Sequence, residues 1–201
     1  LTEGRYFTER EYGELPAITE TINGRVWGGL HSLIETRIRN GAFGFRFPDQ
    51  CDDGYGPCGC DRRAFTRVLG AEIPCINWPL GDRDIPTTPV ILDLLDFCAS
   101  AVGKPIQGDF HSYYHHYHLD WDRDEGLAAF VADVNFLLQR NGVAFKMDGQ
   151  GRMRRVLPKV VVETLGRGMF QTGDNETDRL LDAASSRFMS PNRLLKNPFP
   201  I

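Results

Sequence analysis

Four of the chain's five histidines fall within eight positions of the run "HSYYHHYHLDWD", residues 111–122. Neutral imidazole is the commonest protein ligand of transition metals, and a carboxylate can complete such a site. Alternation along a strand puts His116, His118, Asp120 and Asp122 on one face, with His115, Tyr117, Leu119 and Trp121 on the other. The second face is the one a core would take up, so packing accounts for much of the run. What remains is a candidate binding face of His116, His118 and Asp120. The first expectation there is no cofactor; zinc or manganese on these three residues is the alternative. Read as a helix, the run would align His111, His115 and His118 instead.

Three other groups could do chemistry. Cys51, Cys58 and Cys60 have the spacing C-x6-C-x-C in a Gly-rich loop. Structural zinc sites use paired C-x2–4-C halves, so this spacing reads as free thiols; a Cys3His site would need a distant histidine. Asp49, Asp52 and Asp53 share the loop, but cysteines stand where a calcium loop needs oxygen ligands. Arg25 and His31 fit the Arg-x4–6-His spacing of HEPN-class ribonucleases. Six positions along an ideal helix leave those side chains roughly 120° apart, which prevents convergence without a kink. Lys146, Arg152, Arg154, Arg155 and Lys159 surround a Gly-rich turn and form a candidate nucleic-acid contact for RNA or DNA. The same residues would also suit a solvated edge strand. No catalytic residue is assigned.

The elements that must position these groups are legible from periodicity. Apolar residues at helical spacing run from Ile22 to Ile38, and "RNG" ends that helix with Gly41 able to take a left-handed conformation. Residues 43–61 read as loop, and Asp61 to Glu72 as a short helix. Thr88 and Pro89 start a helix that buries Ile91, Leu94, Leu95, Cys98 and Val102. Asp122 and Glu125 read as a capping box before a helix from Leu127 to Arg140. Val143–Met147 and Arg152–Leu157 read as a hairpin, which after a helix outlines a winged element. A last helix is expected over 175–188, with Leu180, Leu181, Ala184 and Phe188 inward. The expected fold is α+β, mainly helical, with a small β-hairpin or winged element.

The composition is that of a globular domain: 41% hydrophobic and 25% charged residues in 201. A net charge of −4 opposes a main role in coating nucleic acid. No apolar run reaches the length of a bilayer span, so no membrane partner is expected. Five cysteines without a secretory signal fit a reducing, cytoplasmic setting. The reading by segment is a leading arm at 1–19, one domain at 20–190, and a tail at 191–201 that could start a linker.

Several stretches together carry a resemblance. They are "VWGGLHSLIETRIRNGAFGFRFPDQC", "GYGPCGCD", "PIQGDFHSYYHHYHLDWDRDEGLAAFVADVNFLLQRNGVAF" and "RLLDAASSRFMSP". In collinear order from Val26 to Pro191, they resemble the AbiJ-type N-terminal domains of bacterial abortive-infection proteins. The resemblance implies a non-catalytic sensing or interaction domain in phage defence, partnered by a C-terminal effector domain or another protein. The effector would be a HEPN-class ribonuclease with its own Arg-x4–6-His site. The family supplies no catalytic residue to carry over. Two other readings stay open: a HEPN-like or metal-dependent ribonuclease, and a winged nucleic-acid-binding module.

Overall fold

The structure is a computed structural model that describes residues 6–52, 54–80, 84–156 and 174–189, with the backbone alone at 182 and 184–189. About 49% helix and 19% strand make the fold α+β and mainly helical, with small antiparallel hairpins. Contacts divide the chain into two units, Leu1–Val156 and Leu157–Ile201.

The first unit is built on α2 (Gly24–Arg39), α4 (Thr88–Ala101) and α5 (Arg123–Arg140); α3 (Arg62–Glu72) adds buried Phe65 and Leu69 to their core, while α1 (Phe7–Tyr12) buries no residue. Asn23 starts α2 by accepting from the amides of Arg25 and Val26, and Asp61 does the same for α3. The α2 stripe of Val26, Trp27, Leu30, Ile34 and Ile38 is buried. It joins Leu94, Leu95 and Cys98 of α4 and Phe130, Val134 and Leu138 of α5 in one core. Gly41 takes the expected left-handed conformation (φ 78°) and turns the chain into a 310 segment, Ala42–Phe45. Phe43, Phe47, Phe65 and Phe97 then pack against one another, two pairs stacked and two edge-on, at 5.2–6.0 Å between ring centres. Burying such rings is the largest single apolar contribution a side chain can make.

Three hairpins decorate this helical body. The short strands β1 (Pro48–Gln50) and β2 (Pro57–Cys60) form the first, in a region whose sequence reads as loop. Three-residue pairing is too brief to leave a periodic signal. β3 (Lys104–His111) and β4 (His116–Asp122) form the second and longest. β5 (Phe145–Met147) and β6 (Met153–Arg155) form the third, shorter than its sequence suggests. The third hairpin is clamped by side chains acting as strand partners. Asn135 of α5 exchanges two hydrogen bonds with the Met147 backbone, and Asp96 of α4 accepts from the Met153 amide at 2.7 Å.

Some local expectations are corrected. Thr87, not Thr88, stands at the N-cap of α4, and the Thr88 hydroxyl accepts from the Ile22 amide at 2.9 Å. Helix α5 starts at Arg123, four residues early, because Asp122 caps it directly through the Glu125 amide. The Glu125 carboxylate does not close a capping box; it pairs with Lys104 at 2.6 Å. The leading arm is tied down: Glu9 accepts from Arg140 at 2.5 Å, and the Arg140 guanidinium lies 3.8 Å from the Tyr6 ring centre.

In the second unit, α6 (Asn175–Met189) follows Asp174, which accepts from the Glu176 amide at 3.1 Å. Leu180, expected inward, is 58% exposed. The stretch from Leu157 through Lys159 to residue 165, and the side chains of Ala184 and Phe188, lie outside the described residues. Among the described residues, no helix is long and apolar enough to cross a membrane.

Candidate functional site

The β3–β4 hairpin is anchored firmly at its base. Trp121 of β4 donates its indole N–H to the Gly41 carbonyl at 2.9 Å. Arg123 donates to the carbonyls of Ala99 and Val102 at 2.7 and 2.6 Å, closing the C-terminal end of α4. Gly103 donates to Ala42 O at 2.8 Å. A methyl group added at Gly126 would lie 2.2 Å from the Lys104 nitrogen, so α5 and β3 approach as only glycine allows.

Farther out, one residue more on β3 than on β4 shifts the register between Gln107 and Phe110. The consequence is chemical. Lys104 to Gln107 pair with Asp122 to Leu119, a register that carried on would set His111 opposite His115. After the bulge, His111 pairs with His116 instead. Residues directly opposite share a face, so His111 joins the face of His116 and His118. His115 is displaced to the tip, where it takes φ 53° and is exposed. The face expected to pack therefore does so only at its inner end. Leu119 reaches the backbone at Gly41 and Trp121 lies over Gly44, while Tyr117 stays 43% exposed.

The shared face meets the β1–β2 loop. Cys51 is buried there, its amide bonded to Gly56 O at 3.0 Å and its carbonyl accepting from the Gly54 amide at 3.0 Å. Its Sγ is 3.5 Å from His111 Nδ1. One ligand atom from each of Cys51, His111, His116 and His118 lies within 4.8 Å of the other three. The three imidazole rings form a nearly equilateral triangle, with centres 5.4, 5.5 and 5.6 Å apart. Tyr114 stacks on His116 at an interplanar angle of 12° and meets His111 edge-on. A thiol and three imidazoles so placed can hold a transition-metal ion.

Of the candidate face, His116 and His118 are in this group and Asp120 is not. Asp120 is exposed, and its carboxylate accepts from the Trp121 amide at 2.8 Å. Cys58 and Cys60 also stay outside the group. Burial, then Asp49 and Cys51, push the Cys58 thiol up; burial, then Asp61 and Asp49, push Cys60 up to about 12. Both therefore read as protonated thiols. Sequence reasoning missed Cys51 and His111 as partners of His116 and His118. The available signal was the turn itself, because a four-residue tip at 112–115 pairs 111 with 116.

The other candidates are placed apart. His31 is wedged between Trp27 and Trp78, with ring centres 5.5 and 5.1 Å away, whereas Arg25 is exposed in the first turn of α2. Lys146, Arg152, Arg154 and Arg155 are all exposed on the β5–β6 hairpin, whose Phe145, Met147 and Met153 point inward. Arg154 is paired with Asp148 at 3.0 Å, and Arg155 with Glu20. That pairing offsets part of the positive charge.

No family model, no curated protein and no solved structure matches this chain.

Proposed function

We propose that this chain is a non-catalytic sensing or interaction domain, the role that its resemblance to AbiJ-type N-terminal domains implies, and that the β3–β4 hairpin is its contact surface. The observation that carries the reading is the hairpin's outer end. Phe110, Tyr113, Tyr114 and Tyr117 are each between 43% and 79% exposed there. Water-exposed aromatic rings gathered on one element are costly to a lone domain and enriched where proteins meet. They are also mounted rigidly, because Trp121, Arg123 and Gly126 fix the hairpin's base. Such pre-organisation lowers the entropy lost on contact. The partner is a C-terminal effector or a separate protein of an abortive-infection system, in the cytoplasm of a bacterium.

The test is a phage-challenge assay on cells expressing the natural gene that encodes this chain. Protection that is lost in Tyr113→Ala with Tyr117→Ala, while the purified variant keeps its circular dichroism and melting temperature, supports the reading. A purified chain that degrades RNA, and stops doing so in His31→Ala, would replace it with the ribonuclease reading. Protection unaffected by the double substitution would remove the hairpin as the contact surface.

A further inference from the structure

We infer that Cys51, His111, His116 and His118 form a four-coordinate metal site whose ion is zinc. This stands independently of the hairpin's role as a contact surface.

Geometry is the first argument. Zinc–sulfur and zinc–nitrogen bonds of about 2.3 and 2.0 Å at the tetrahedral angle imply a sulfur–nitrogen edge of about 3.5 Å. Cys51 Sγ and His111 Nδ1 are 3.5 Å apart. All four ligand atoms lie within 4.8 Å of one another, so the remaining edges need only side-chain adjustments of about an ångström or less to reach bonding geometry. Three rings from one hairpin face and one thiol from a separate loop bring four ligand atoms together, the number a tetrahedral ion takes.

Burial is the second. Cys51 is 6% exposed, and the His116 Nε2 atom is buried without a hydrogen-bond partner among the described residues. A buried ring nitrogen is normally satisfied by a donor, an acceptor or a metal. A metal supplies what His116 lacks, and its pull on imidazole lone pairs explains why three aromatic bases crowd together instead of seeking water.

The donor set excludes the hard, oxygen-seeking ions. One thiolate and three imidazoles suit zinc, while magnesium, calcium and manganese favour carboxylate, carbonyl and water oxygens. Four protein ligands fill a tetrahedral shell and leave no open position for water or substrate, which marks a structural rather than a hydrolytic ion. Its effect would be to tie residue 51 to residue 111 across 60 positions of chain. Because a site of this kind is absent from the unfolded chain, the binding energy becomes folding energy. The ion would also hold the tip whose tyrosines stand beside it, Tyr114 being stacked on His116.

The experiment measures metal in the purified chain by mass spectrometry and then follows cobalt(II) titration of the chelator-treated protein. One equivalent of zinc is expected, and cobalt should give the visible bands of tetrahedral coordination with a thiolate-to-cobalt charge-transfer band. Cys51→Ser should lose that charge-transfer band and weaken zinc binding by more than about 100-fold, since even outer-shell changes cost 10–100-fold. Cys58→Ser and Asp120→Asn should keep both the band and the zinc. A folded wild-type chain with neither zinc nor a tetrahedral cobalt spectrum would overturn the inference. So would a charge-transfer band that survives Cys51→Ser but disappears in Cys58→Ser. Should Cys51→Ser fail to fold, the wild-type spectrum and the Cys58→Ser control still decide.

Discussion

Replacing Gly44 by alanine should be among the most damaging single-methyl changes in the first unit. Gly44 lies in the 310 segment, and a Cβ there would sit 2.3 Å from Trp121 Cζ2 and 2.4 Å from the Gly59 carbonyl oxygen. Ordinary contact begins more than 1 Å farther out, so something must move. The indole can shift only by giving up its hydrogen bond to Gly41 O, and the carbonyl belongs to the β2 backbone. Overpacking of this kind costs about 1–3 kcal/mol, and a lost hydrogen bond adds about 1 kcal/mol. The reduced freedom of the unfolded chain returns about 0.4–1 kcal/mol. The expected net loss is about 1–3.5 kcal/mol, or roughly 2–14 °C in melting temperature for a chain of this size. Because β2 and β4 both carry the strands that frame the Cys51–histidine group, the damage should also loosen that group. The control is Gly28→Ala on the exposed face of α2, where a Cβ would meet nothing within 4 Å. Helix propensity alone then predicts a gain of up to about 1 kcal/mol. Urea unfolding monitored by circular dichroism measures both variants. A Gly44→Ala midpoint equal to wild type, or a shift of the same sign in both variants, would refute the packing argument.

Three further outcomes follow from the same geometry. Burial pushes the Asp96 carboxyl above its ordinary value, against the opposing hydrogen bond from the Met153 amide. A raised folded value means that its stabilising contribution is complete below the unfolded value, about pH 3.9, and is lost as pH rises through the folded value. Asp96→Asn keeps an acceptor for Met153, so wild-type stability should decline relative to the variant over that window; unfolding curves collected from pH 4 to 7 would contradict this if wild type gained instead. Deleting Asp109 should straighten β3 into a regular ladder, with Gly108 opposite His118 and His111 still opposite His116, and so keep the one-equivalent zinc content; lost zinc with far-ultraviolet dichroism intact would show that pairing alone does not place His111. Arg154→Ala with Arg155→Ala should change RNA binding by less than about threefold at 150 mM salt, because Asp148 and Glu20 already engage these arginines. A steep salt dependence that flattens in the double variant would instead favour the nucleic-acid reading.

Much of the helical body was legible in the sequence. The apolar stripe of α2, the glycine that ends it, the Asp122 cap of α5 and the inward face of α4 are local rules, in which each residue's role depends on neighbours three or four positions away. The strand character of 116–122 was legible for the same reason, with a period of two. The resulting fold class, α+β and mainly helical, is what those elements add up to. Its smallest parts were not readable: β1 and β2 are too short for periodicity, and Thr88 found a partner 66 positions away that no local rule predicts.

The Cys51–histidine group depended on information of another kind. His116 and His118 share a face by alternation alone, but alternation also proposes Asp120, which the structure leaves in solvent. Taking up the extra β3 residue as a bulge, and not carrying it through the ladder, decides that His111 pairs with His116 and not with His115, and bulges leave little trace in composition. Cys51 arrives from a loop 60 residues away, through packing of β2 against β4 that no spacing within either segment encodes. The sequence by itself determined which residues could bind; the tertiary structure decided which ones meet, because meeting is set by register and by contact between distant segments.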